Sequence, residues 1–146
     1  MFDIRNEEFV FAVSPLERVV DEEADPVNHL WDWIKSFVEL SVNGVKVQFQ
    51  TEFTVGELKE LREHFASFYE AVKVQREIKP FNFRSDLNQL NMLLRKVEGD
   101  DIVIIEYILR PESHADSVQV KGEFGINERY FPDIFRRLDE MIAWSE

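Results

Sequence analysis

Cysteine is absent from this 146-residue chain, so neither a disulfide framework nor a thiolate site can be built from it. Glycine and proline number only five each, and no repeat, low-complexity tract or Gly/Ser linker interrupts the order of the chain. No apolar run approaches the ~18 residues that a membrane span requires. The opening MFDIRNEEFVFAV has one early Arg among acids and a five-residue apolar run, which is not the make-up of a secretory leader. A cytoplasmic location is the default expectation. Phosphate cradles of the GxGxxG or GxxxxGK[ST] form are missing, and no Ser has the Gly-x-Ser-x-Gly setting of an acyl-transfer nucleophile. Basic charge is scarce as well: 17 Lys and Arg face 29 Asp and Glu, a net charge of −12. A field of that sign disfavours nucleic acid and anionic membranes and favours a basic partner, although it also simply keeps a small protein in solution.

What is present is the material of a globular core. Hydrophobic residues make up 45% of the chain and include thirteen Phe. A single domain over 1–146 is long enough to bury roughly 68–70% of its unfolded surface. The clearest local signal is Asn43-Gly44 between two alternating runs, since a type I′ turn needs positive φ at both central positions. Closing that turn pairs Val42 with Val45, Leu40 with Val47, Val38 with Phe49, Ser36 with Thr51 and Ile34 with Phe53 on one mostly apolar face. A slip by one residue would ruin both faces.

The same stretch runs on into a helix. Thr54 followed by Glu57 is a capping box, Phe53 and Leu58 form a hydrophobic staple, and Leu58, Leu61, Phe65, Phe68 and Val72 recur at helical spacing. Elsewhere, residues 9–13 read as a first strand ending near Ser14-Pro15, and residues 16–28 as a surface loop or edge segment broken by Pro26. Residues 76–83 read as an irregular or edge strand, because Pro80 cannot donate to a ladder. Leu90, Met92, Leu94 and Lys96 are set against Leu109, Tyr107, Ile105 and Val103 in a second hairpin turning near Gly99-Asp100. Val118 to Ile126 is one more strand, in which Gly122 falls on the apolar face and leaves room for a neighbour. Asn127 can cap a last helix striped by Phe131, Ile134, Phe135, Leu138 and Ile142, with i,i+4 pairs Asp133/Arg137 and Arg136/Glu140. The expected fold is α+β: an antiparallel sheet of about six strands with two helices packed on one face.

Candidate chemistry is thin. His29, His64 and His114 do not pair at metal-ligand spacing; Glu60 and His64 are four apart on one helix, where a solvated or helix-pairing role is the simpler reading. Trp31, Trp33, Phe37, Phe81 and Phe83 could stack on a ligand or base, but strand spacing fits core or a second sheet face better. No cofactor or metal is implied, and the chain is read as a binding protein rather than an enzyme. Acids in three loops remain: Asp21, Glu22, Glu23 and Asp25; Glu98, Asp100 and Asp101; Glu112 and Asp116. With Trp31 as a possible aromatic anchor, these are the candidate contacts for a basic protein partner.

From about Trp31 to Ile142 the chain resembles the bacterial immunity proteins that accompany WapI-type polymorphic toxins. The carrying stretches are FVELSVNGVKVQFQTEF, TVGELKELREHFASFYEAV, IVIIEYILRP, ESHADS, VQVKGEFGIN and RYFPDIFRRLDEM, with Tyr130-Phe131-Pro132 the most family-like motif. The resemblance implies a cytosolic protein that blocks a cognate toxin, often a nuclease, by binding it. The alternative is a small cytosolic module that binds another protein or a small ligand.

Overall fold

Asn43 and Gly44 take φ of 44° and 81°, and the hairpin they close has the register expected from its alternation, from Val42↔Val45 to Ile34↔Phe53. The computed structural model describes residues 1–113 and 118–146. In chain order its elements are β1 (Phe2–Arg5), β2 (Phe9–Val19), β3 (Trp33–Val42), β4 (Val45–Thr54), α1 (Val55–Lys73), β5 (Phe81–Arg84), β6 (Leu90–Lys96), β7 (Val103–Leu109), β8 (Val120–Ile126) and α2 (Phe131–Ile142). A single 3-10 turn, Glu128–Tyr130, leads into α2; Asn127 caps it by accepting the Arg129 N–H at 3.0 Å.

The α+β class holds, but the strands form two antiparallel sheets, ordered β1-β2-β3-β4 and β5-β6-β7-β8, where the sequence suggested one sheet of about six. Two strands depart from the expected bounds. β1 is too short to stand out in the sequence, and β2 runs past Pro15 to Val19 because a bulge at Leu16 absorbs the irregularity. The second hairpin keeps the expected register, Leu90↔Leu109 through Lys96↔Val103.

The apolar faces of both sheets and the stripes of both helices meet in one core. Aromatic contacts trace it from layer to layer. Phe9 of the first sheet stacks on Phe124 of the second at 4.4 Å, Phe2 meets Phe65 of α1 edge-on at 6.4 Å, and Phe65 meets Phe131 of α2 at 6.3 Å. Gly122 is necessary where it stands: an added Cβ would lie 2.2 Å from the Tyr107 hydroxyl oxygen. Arg136 pairs with Asp133 and Glu140 as neighbours on α2, but Arg137 turns away from Asp133 and meets the buried Asp3 of β1. No helix among the described residues is long and apolar enough to cross a membrane.

Candidate protein-binding site

The first acidic cluster sits in the connection between β2 and β3, residues 20–32, which leaves and re-enters the sheet at the paired residues Val19 and Trp33. Asp32 organises this excursion from within. It is 1% exposed; its Oδ2 accepts from Arg18 Nε at 2.9 Å and lies 2.8 Å from Arg18 Nη2, while its Oδ1 accepts the Asp21 N–H at 2.9 Å. Burial works to raise the Asp32 pKa, but the Asp21 N–H and the Arg18 guanidinium outweigh it and hold the group below its ordinary value. Nothing in the residue pattern around Asp32 singled it out, since its importance comes from Arg18, fourteen positions earlier in the chain.

Arg18 also donates from Nη1 to the carbonyls of Ile142 and Trp144, both at 2.9 Å, so the same guanidinium closes the C-terminal end of α2. On the other side, the loop caps α1. The Val55 and Gly56 N–H groups donate to the carbonyls of Asp32 and Leu30 at 3.0 and 2.9 Å, satisfying donors that a helix start leaves free. Thr54 and Glu57 complete the capping box, and Glu57 Oε1 accepts the Asp86 N–H at 2.6 Å from the turn after β5. Burial raises the pKa of Glu57 against the N–H groups that favour its charge.

These anchors divide the candidate acids by role. Asp21 Oδ1 accepts the N–H groups of Glu23 and Ala24, and Asp25 Oδ1 accepts that of Asn28, so both carboxylates shape turns in the loop. Glu22 and Glu23 are exposed, and Trp31 is 54% exposed beside them in the sequence. Glu112 is exposed in the connection after β7. Gln89, next to the Glu57-bound turn, donates to the adjoining Pro111 carbonyl at 2.9 Å, so Glu112 belongs to the same end of the molecule. Glu98, Asp100 and Asp101 are exposed in the β6–β7 turn, where Glu98 shares a cleft with Gln75, Glu77 and Ile78, just beyond the C-terminal end of α1. The nineteen residues of α1 separate the two ends by about 28 Å at ~1.5 Å per residue. The three loops therefore do not converge. Asp116 and His114 lie outside the described residues.

The other candidates resolve into packing. His64 stacks on Phe81 with ring centroids 3.4 Å apart, fixing β5 against α1. Phe83 is buried in the core, while Trp33 and Phe37 are half-buried on the outer face of the first sheet. Among the described residues no group of three His, Asp or Glu is placed to hold a metal ion. A cleft of about 490 Å³ between β1 and α2 is lined by the charged Asp3, Arg5, Arg129, Asp133 and Arg137 together with Met1, Ile4, Tyr130 and Ile134.

No curated protein matches the chain. A family model described as the immunity protein WapI-like family matches residues 1–145, taking in β1, β2 and the acidic loop as well as the stretch whose resemblance was legible in the sequence. By that match over the length of the fold, the chain belongs to the WapI-like immunity protein family.

Proposed function

We propose that the chain is an immunity protein of the cytoplasm that neutralises a cognate toxin domain by binding it, without catalysis of its own. The match of the immunity family over residues 1–145 carries this reading. A net charge of −12 supports the further step that the toxin is basic, as a nuclease domain is where it meets phosphates. Exposed acids at Glu22, Glu23 and Glu112 would steer such a partner and speed its encounter.

The test is a calorimetric titration of the whole chain with the protein encoded by the adjacent gene. The expected outcome is a dissociation constant below micromolar at physiological salt, weakening as salt is raised because exposed charges are screened. No binding at that level would remove the immunity reading. Binding indifferent to salt would remove its electrostatic part alone.

A further inference from the structure

Large apolar side chains left in water gather in one segment. Among the described residues nine are exposed, and five of these fall between residues 16 and 31: Leu16, Val19, Val20, Val27 and Trp31. They occupy one stretch of chain. Leu16 is the bulged residue of β2, Val19 ends that strand opposite Trp33, and the rest lie in the excursion closed by this pair. Val27 is 82% exposed and Trp31 54%. Single exposed valines are ordinary, whereas four exposed aliphatic side chains and an exposed indole within sixteen residues of chain mark a contact segment. The segment is already held by Asp32, Arg18 and the start of α1, so binding need not spend free energy on ordering it.

We infer that this apolar segment is the surface that meets the partner, and that the partner is a basic protein domain offering an apolar socket for Trp31 ringed by Lys and Arg. This rests on the immunity reading and narrows it to one end of the molecule, leaving the β6–β7 turn outside the contact. Charge selects the occupant. Glu22 and Glu23 are exposed at the rim, and neither joins an ion pair among the described residues. A second copy seated face to face would set these acids against their own counterparts, and an anionic membrane or nucleic acid would be repelled in the same way. Cationic side chains around the socket complete what the rim lacks.

The titration against the protein encoded by the adjacent gene, repeated with variants, decides it. Trp31→Ala and Val27→Ser are each expected to weaken binding about ten-fold or more, as truncation of a buried anchor does. The triple change Glu98→Gln, Asp100→Asn, Asp101→Asn is expected to leave affinity within about two-fold. Because every altered side chain is exposed, thermal melts should match the parent and separate binding from folding. If the parent does not bind, the immunity reading falls and the surface assignment falls with it. If the parent binds and Trp31→Ala binds equally well, or the triple variant loses as much, the surface assignment alone is overturned. Light scattering that shows a dimer abolished by Trp31→Ala would overturn it in favour of a second copy.

Discussion

Gly122 and Tyr107 occupy one site between them. Tyr107 is 5% exposed on β7, and its hydroxyl fills the space where a Cβ on its cross-strand partner Gly122 would stand. Gly122→Ala should therefore destabilise the fold by roughly 1–3 kcal/mol, as overpacking does, read from urea unfolding midpoints. Gly44→Ala meets no neighbour within 4 Å and should cost only the strain of positive φ, about 1 kcal/mol. Asp32 makes the stability of the fold depend on pH. Its folded pKa lies below the ordinary 3.8, so the stability it supplies is complete above that value and is lost as pH falls through the lowered one. Asp32→Asn should cost roughly 3 kcal/mol at pH 7, near the lower end for breaking a buried pair, because Arg18 is left charged. That gap between parent and variant should begin to narrow as pH falls below about 4. A gap that widens as the carboxylate is protonated would show that its charge is not the source.

Elements with complete local grammar were legible before any coordinates. The Asn43-Gly44 hairpin, the Thr54/Glu57 capping box and the register of β6 with β7 each rest on neighbours in sequence, and each is present. Thr54→Ala should cost about 1–2 kcal/mol, since it frees the Glu57 N–H and takes a hydroxyl donor from a buried carboxylate. Thermal melts at pH 7 would check this, and a change below a few tenths would mean the cap is redundant. β1 escaped notice because only Phe2 and Ile4 mark it, too few to show a period, and its place is set by pairing with β2. The path of β2 beyond Pro15 was equally hidden: a bulge cancels a residue and restarts the alternation, which reads in sequence as its end. Arg137 illustrates the same limit, since its partner Asp3 lies on the first strand and not one helical turn away.

At the scale of the molecule, what the sequence could not convey is which hairpins join. Each half of the chain supplies a self-contained set of antiparallel strands, and the packing of Phe9 and Phe11 on Phe124 shows that the two sheets face one another. The acids posed the same difficulty. Their abundance was plain, but the distance along α1 that separates the β2–β3 loop from the β6–β7 turn is a property of the fold. Leu16, Val19, Val20 and Val27 carried no signal until the structure showed them exposed. A net charge of −12 on so small a body should also make the native state self-repelling. Raising sodium chloride from about 10 to 150 mM shortens the screening length from roughly 30 to 8 Å. The melting temperature is expected to rise by a few degrees over that range, and a fall would show that favourable ion pairs such as Arg62–Asp139 outweigh the repulsion.

The guanidinium of Arg18 reaches Ile142 and Trp144 through its side chain, and its backbone N–H meets the Glu146 carboxylate at 3.1 Å. Asp32 sits on the far side of the same group. The tail of the chain is thereby a strut for the acid-rimmed loop, although more than a hundred positions lie between them. Trimming the last few residues, or hanging an affinity tag from them, would slacken the proposed toxin-facing surface without touching one of its own side chains.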